Sequence, residues 1–300
     1  DYTFIHYGYD NEHRPNLSLL RDGDKTFVHL LPRGQKLTLA FDTAQRFCNG
    51  WHNLETAESF PCPSAAELPE QYDQCRHCQQ KTGFNPAFYN ATSVSEQQQA
   101  RNAQPHILYL AHFAPGVVKV GITWAGRGIK RLLDQGARSG VIIKTYPTAD
   151  IARQYEAKTA KLPGIAETLQ VRNKINYLTR DYAATAGAEE LRVARERLIR
   201  EAGAAPDDNQ PLYLDPYYIA QNQLQPSNLI DASKNKSVSG DCIGMIGSVL
   251  VAEQDGMQYA LPLNKLTGYR CALSYGETKN LSAPHQVSLF YPCHGQTHTV

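Results

Sequence analysis

Long apolar segments are missing from this sequence. No stretch reaches the roughly 18 consecutive apolar residues that a membrane-spanning helix needs, and the first residues have neither the basic region nor the apolar core of a signal peptide. Charged residues make up only 20% of the chain against 42% hydrophobic residues, which is too little charge for a disordered tail. We therefore expect a soluble, cytoplasmic protein with no membrane partner and, at 300 residues, with two or three domains.

A large excess of charge of either sign is also absent from the chain as a whole, whose net charge is +1. The charge is nevertheless uneven. Residues 101–200 contain 17 Lys and Arg but 8 Asp and Glu, a net charge of +9, whereas the rest of the chain carries −8. A basic face is the usual electrostatic footprint for phosphate groups. The middle of the chain therefore points to a nucleic acid, DNA or RNA, as partner, although an ordinary solvated basic surface would have the same composition.

Cysteines are few, seven in all, but four of them are concentrated in one segment. These four are Cys48, Cys62, Cys75 and Cys78, the last two forming a C-x2-C motif. Four thiolates match the tetrahedral preference of Zn²⁺, and a closed four-cysteine site is structural because no position stays open for water. The sequence therefore predicts a structural zinc site in residues 48–80. His52 or His77 could replace one thiolate, and the alternatives are disulfides, which an intracellular chain disfavours, or buried free thiols.

Turn residues and hydrophobic periodicity divide the chain into three predicted domains. Residues 1–100 are expected to be β-rich and to contain the zinc segment as an insertion. Residues 101–205 follow a β-β-α-β-α pattern with trailing helices. Residues 206–300, rich in glycine from Ser237 onward, predict a small C-terminal β-barrel. The fold class expected from this organisation is α+β and multidomain.

The pattern of the middle segment can be placed on the residues. Two apolar runs of strand length, 107–111 and 117–122, are separated by a Pro-Gly turn. A helix is predicted from Arg127 to Gln135, because apolar residues recur at spacings of three and four. A third strand covers 141–146, and Thr148 is placed to cap the next helix.

Two triplets of this segment resemble the paired strands of the GIY-YIG nuclease superfamily. They are Ile107-Leu108-Tyr109 and Lys119-Val120-Gly121. In that superfamily the hairpin is followed by a helix bearing an arginine and a later helix bearing a glutamate, whose counterparts here are Arg131, or Arg127 one turn earlier, and Glu156. Most of the chain is also similar to a bacterial family, domain of unknown function 2797, and the string from Lys119 to Ala137 is the specific part of that similarity.

The resemblance implies a GIY-YIG-like core with a phosphodiester site. Tyr109 would orient or deprotonate a water molecule, Arg131 would clamp the phosphate in bidentate fashion, and Glu156 would hold one Mg²⁺ or Mn²⁺. Lys119 departs from the superfamily pattern, which has a tyrosine at this place. A lysine there serves as a base only if desolvation lowers its pKa, and is otherwise a phosphate contact. The leading expectation is a nucleic-acid-binding protein with metal-dependent phosphodiester cleavage. The alternative, which the lysine favours, is a non-catalytic zinc-containing nucleic-acid-binding protein on the same scaffold.

Each of these residues also has a simpler structural explanation. Tyr109 is a good strand former, Arg127 and Arg131 can pair with Asp134 on a solvated helix, and Glu156 can pair with a nearby lysine. A scaffold whose basic face meets an acidic protein is a third possibility. The nuclease hypothesis requires that the tyrosine, the lysine, the arginine and the glutamate converge on one open surface.

Overall fold

The computed structural model describes residues 1–21, 25–31, 33–54, 56, 58–84, 94–170, 173–219 and 224–276. The strands of this part of the chain are β1 (Tyr2–Tyr9), β2 (Pro15–Arg21), β3 (Lys25–Leu30), β4 (Lys36–Phe47), β5 (Trp51–His52), β6 (Ser59–Phe60), β7 (Glu67–Leu68), β8 (His106–Ala114), β9 (Val117–Trp124), β10 (Ser139–Tyr146), β11 (Ile165–Ala166), β12 (Leu212–Tyr213), β13 (Leu229–Asp231), β14 (Ser237–Ile246), β15 (Val249–Gln254), β16 (Met257–Pro262) and β17 (Tyr269–Tyr275). Its α-helices are α1 (Arg76–Thr82), α2 (Glu96–Asn102), α3 (Lys130–Gln135), α4 (Ala149–Thr159), α5 (Lys174–Leu178), α6 (Ala184–Arg197) and α7 (Asp215–Tyr218).

The larger of two main sheets has ten strands and draws them from both ends of the chain. Its order is β13-β16-β15-β14-β4-β17-β1-β2-β3, with β7 paired to the end of β4. Neighbouring strands are antiparallel except for the parallel pair β13 and β16. Strand β4 lies between β14 and β17, so the N-terminal and C-terminal β-rich segments form one open sheet.

The prediction of a small C-terminal β-barrel from the Gly-rich segment is wrong for the residues that the structure describes. Strands β14 to β17 do not close on one another, because β14 and β17 both pair with β4 from the N-terminal segment. The division of the chain into three domains, with boundaries at residues 100 and 205, stays a prediction. Residues 277–300 of the expected third domain lie outside the described residues.

The smaller main sheet contains the predicted β-β-α-β-α unit. The chain runs through β8, β9, α3, β10 and α4, which confirms the predicted order of elements. The strand order is β11-β9-β8-β10-β12, and only β11 is parallel to its neighbour. Helix α3 begins at Lys130 instead of Arg127, because residues 125–127 form a 3₁₀ turn and Gly128 follows with φ of +48°. Residues other than glycine rarely adopt this backbone conformation.

Strand β8 is buried along its whole length, because elements cover both faces of the smaller sheet. One face, which includes Tyr109, packs toward α3, α5 and the apolar core of the ten-stranded sheet. The other face, which includes Leu108 and Leu110, packs on α4 and α6. A strand buried on both faces has a continuous apolar sequence, which is why 107–111 shows no polar alternation. Tyr109 consequently lies between the two sheets.

The two sheets meet where the end of α3 touches the β14–β15 turn. Gly136 ends α3 with φ of +79°, and Gly247 lies in the turn with φ of +58°. A Cβ atom on Gly247 would lie 2.6 Å from the backbone nitrogen of Gly136, so glycine is required for this close approach. The Tyr9 hydroxyl adds a bond from β1 by donating to the Met245 carbonyl at 2.7 Å.

Candidate functional site

The first candidate site is the cysteine cluster between β4 and α1. Its ligands are Cys48, Cys62, Cys75 and Cys78, whose Sγ atoms all lie within 4.8 Å of one another. The Sγ atoms of Cys62 and Cys75 are 3.9 Å apart. Around a tetrahedral Zn²⁺ with bonds of about 2.3 Å, sulfur ligands are about 3.8 Å from each other. The predicted clustering is therefore confirmed, and the four cysteines could bind a metal such as zinc.

The surroundings of the cluster act on its thiols in opposite directions, raising the pKa of Cys48 and Cys78 and lowering that of Cys62. Burial raises the pKa of the Cys48 thiol to about 11, although the backbone N–H of Cys75 donates to its sulfur at 3.2 Å. Burial also acts on Cys62, but there the N–H groups of Ala66 and Ser64 and the Ser64 hydroxyl lower the pKa to about 6. One thiol is thus ready to ionise near neutral pH, while binding of a metal would displace the protons of the others.

Neither histidine considered for this site belongs to it. The His52 Nδ1 atom lies 2.9 Å from the Ser59 hydroxyl, and His77 is exposed on α1. The backbone before His52 is fixed by Gly50, since a Cβ atom there would lie 1.9 Å from the Phe60 carbonyl oxygen. The candidate ligand set in the described residues is therefore cysteine alone.

The second candidate site is built on the β8–β9 hairpin. Tyr109 of β8 is paired with Gly121 of β9, and the tyrosine ring lies across the glycine. A Cβ atom on Gly121 would be 2.3 Å from the tyrosine hydroxyl oxygen. The glycine is thus needed because the ring takes the place of its side chain, not because a strand bulge lies there. Tyr109 is only 1% exposed, and this burial raises the pKa of its hydroxyl.

A glutamine connects this tyrosine to Arg131. With its carbonyl oxygen turned toward the arginine, Gln135 of α3 accepts from Arg131 Nε at 3.0 Å and Nη2 at 3.1 Å, and from the Tyr109 hydroxyl at 2.8 Å. This amide orientation satisfies all three donors. Arg131 and Gln135 are four residues apart and so lie on the same side of α3.

Two lysines flank Arg131 from different elements. Lys119 lies on β9 and Lys174 at the start of α5, and both are partly buried. Burial, and then the charge of Arg131, lower the pKa of Lys119. The same two causes lower the pKa of Lys174 to about 8. We call Lys119, Arg131 and Lys174 the cation cluster. In the part of the chain that the structure describes, none of the three forms a salt bridge to a carboxylate.

The carboxylates nearest to the cation cluster are paired with other arginines. Glu156 of α4, 6% exposed, forms a salt bridge with Arg153, which also contacts Glu167 at 2.6 Å. Asp134 of α3 forms a salt bridge with Arg127. This is the structural role that the sequence offered for Arg127 as an alternative to phosphate contact. The cluster therefore keeps a local excess of positive charge.

A profile of the protein family described as "Protein of unknown function (DUF2797)" matches residues 34–271, well over half of the chain. The chain belongs to this family. No curated protein and no solved structure matches the sequence significantly. None of the helices in the described part of this DUF2797 protein is long and apolar enough to cross a membrane.

In this DUF2797 protein the predicted residues of the hairpin and helices are brought near one another, apart from Arg127. The charge of Glu156 raises the pKa values of both Tyr109 and Lys119, and the charge of Arg131 lowers them. Arg127 is 42% exposed at its side chain and is directed to its aspartate. The GIY-YIG resemblance itself stays a prediction.

Sequence reasoning missed three side chains of this region. Gln135 was recognisable, because it lies one helical turn after Arg131. Arg153 lies three residues before Glu156, a spacing that also predicts contact on a helix. Lys174 had no local signal, since the fold of α5 against the β14–β15 turn alone brings it here.

Proposed function

We propose that this protein binds nucleic acid by holding a phosphate group at the cation cluster, with zinc at the four cysteines as a structural support. The observation that carries the proposal is that the three cations of the cluster form no salt bridge within the described chain, while the three nearby carboxylates are bonded to Arg127 and Arg153. Partly buried cations without a carboxylate partner are stabilised by an anionic ligand. The guanidinium of Arg131 is suited to bidentate contact with a phosphate.

The composition of the chain supports a polyanion as the ligand. The net charge of +9 in residues 101–200 extends well beyond the three cations of the cluster. Such a basic segment attracts the backbone of DNA or RNA at long range. The resemblance to GIY-YIG cores that the sequence predicts, with Tyr109, Arg131 and Glu156 as the counterparts of the motif residues, implies the same class of ligand.

The zinc site is proposed as structural because four cysteine ligands leave no open coordination position. Strands β5 to β7 have two residues each, and the apolar cluster around the cysteines is small. Binding of zinc would therefore contribute much of the folding free energy of this segment. A reducing cytoplasm, the location that we propose, keeps the four thiols available for metal.

Metal-dependent phosphodiester cleavage at the same place is a second candidate function. It is favoured by the position of Glu156, whose charge acts on both Tyr109 and Lys119. Glu156 is the residue that would hold Mg²⁺ or Mn²⁺, and Lys119 would contact the phosphate. We place cleavage second because the Tyr109 hydroxyl is buried and has a raised pKa, and because Arg153 occupies the glutamate.

Binding is tested with labelled single- and double-stranded DNA and RNA over a series of salt concentrations. Arg131→Ala should weaken binding and reduce the slope of log K against log salt by about 1, since one phosphate contact is lost. Arg192→Ala is the matched control, because Arg192 is exposed on α6 and bonded to two glutamates. The proposal would be refuted if Arg131→Ala bound as tightly as the wild type, or if the wild type showed no salt-dependent binding. Either result would favour a scaffold whose basic face binds an acidic protein.

Cleavage is tested in the same reactions with and without Mg²⁺ or Mn²⁺. Glu156→Gln should abolish any metal-dependent cleavage and leave binding intact or tighter, because a negative charge near the phosphate is removed. Tyr109→Phe keeps the packed ring and deletes only the hydroxyl, so it separates proton chemistry from folding. Binding without cleavage under all metal conditions would leave the first proposal standing alone.

A further inference from the structure

The guanidinium of Arg131 is held along one of its two edges that carry paired N–H donors. Its Nε and Nη2 atoms both donate to the carbonyl oxygen of Gln135, at 3.0 and 3.1 Å. Because a guanidinium is a planar fork of fixed geometry, this contact sets the orientation of the whole group. The second edge, with one N–H of Nη1 and one of Nη2, is the edge that can contact two oxygens of a phosphate.

A glutamine has a different effect at this position from a carboxylate. The neighbouring Asp134 shows the alternative, since its carboxylate orients Arg127 and at the same time balances the charge of that arginine. The amide of Gln135 is neutral, so it orients Arg131 without balancing its charge. Arg131 is therefore ordered and still carries a positive charge that an anionic ligand can balance.

The amide is itself fixed from strand β8 by the tyrosine of the first triplet. The Tyr109 hydroxyl donates to the same carbonyl oxygen of Gln135 at 2.8 Å. Burial raises the pKa of this hydroxyl, so it stays protonated and remains a donor. Since Tyr109 is only 1% exposed, its hydroxyl does not reach a ligand directly. An effect of this hydroxyl on binding must therefore pass through Gln135.

We propose that Gln135, anchored by the Tyr109 hydroxyl, is a positioning residue that orders the Arg131 guanidinium for bidentate contact with a phosphate. The inference rests on the proposed nucleic-acid binding, and it gives the tyrosine a role in orientation instead of proton transfer. An arginine that is ordered before binding loses less conformational entropy when the ligand binds. For one long side chain this saving corresponds to about two- to tenfold in affinity.

The test is a double-mutant cycle on the binding of labelled single-stranded and duplex DNA to the full-length protein, at a salt concentration where Arg131→Ala still binds. Gln135→Met keeps the length of the side chain and removes the acceptor. It should weaken binding by about two- to tenfold when Arg131 is present and have no effect in the Arg131→Ala background. The slope of log K against log salt should stay unchanged in Gln135→Met, because no phosphate contact is removed. Tyr109→Phe should weaken binding in the same conditional way, by about two- to fivefold.

The cycle separates positioning from the other roles that Gln135 could have. A fold defect, or a direct contact of Gln135 with the ligand, would weaken binding equally with and without Arg131, and this result would overturn the proposal. Wild-type affinity in either Gln135→Met or Tyr109→Phe would overturn it as well. Gln154→Met, at an exposed glutamine of α4, is the matched control and should bind like the wild type. Arg131→Ala without effect on either DNA would instead overturn the binding function itself.

Discussion

Replacing Lys174 by methionine is expected to stabilise the folded protein at neutral pH. Burial and the charge of Arg131 lower the pKa of Lys174 from 10.5 to about 8. That difference corresponds to roughly 3 kcal/mol by which the charged ammonium destabilises the folded state. Methionine keeps an unbranched apolar side chain without the charge. The free energy of unfolding should therefore rise by up to about 3 kcal/mol near pH 7.

The pH dependence of this gain has a definite sign. In the unfolded chain the lysine is protonated up to its ordinary pKa of 10.5, whereas in the folded protein it is protonated only below about 8. As the pH rises from about 8 to 10.5, the folded wild type loses its buried charge and becomes more stable relative to the methionine variant. The advantage of the variant should be full at pH 7 and small at about pH 10.

Urea unfolding followed by circular dichroism at pH 7 and pH 10 measures both quantities. Lys161→Met serves as the control, because an exposed lysine should change the free energy of unfolding little at either pH. Two results would refute the reasoning: a Lys174→Met variant less stable than the wild type at pH 7, or a gain that is the same at both pH values. Either would mean that Lys174 is not a desolvated cation in the folded protein.

The cysteine cluster and the hairpin carry two further predictions. Protein purified without added zinc should contain one equivalent of zinc by metal analysis. The Cys75→Ser variant should lose the zinc and unfold residues 48–80, whereas Cys242→Ser should keep it, because Cys242 lies in β14. Less than half an equivalent of zinc in the wild type would contradict the site. Gly121→Ala should lower the free energy of unfolding by about 1–3 kcal/mol, since its Cβ atom would collide with the Tyr109 ring. Combining it with Tyr109→Leu should recover part of that loss, and additive effects in thermal unfolding would show that the two residues are not in contact.

Features encoded by neighbouring residues were predictable from the sequence. The Pro-Gly turn between β8 and β9 and the apolar spacing of α3 depend on a few adjacent positions, and the turn and the end of the helix are found where expected. The clustering of the cysteines was also predictable, because metal ligands are recognised by residue type and spacing. The start of α3 was misplaced since the conformation of Gly128 is not visible in a periodicity.

Features that depend on distant pairing were not predictable in this way. The C-terminal strands look like a self-contained sheet in the sequence, but their partner β4 is far away along the chain. Lys174 was missed for the same reason, because only the contact of α5 with the β14–β15 turn places it beside Arg131. Gly121 belongs to the second triplet of the sequence, but the ring that requires a glycine there belongs to the neighbouring strand.

The position of β4 in the ten-stranded sheet also affects synthesis on the ribosome. Both long neighbours of β4 are made last, and roughly 190 residues separate Phe47 from Ser237. At the usual 5 to 20 residues per second, β4 waits about 10 to 40 s for its partners. During this time its backbone edges and the apolar residues Leu37, Leu39 and Phe41 are not yet covered by β14 and β17. The nascent chain should therefore depend on chaperones more than its modest length suggests, and truncation before β17 should yield an aggregating product instead of a smaller folded domain.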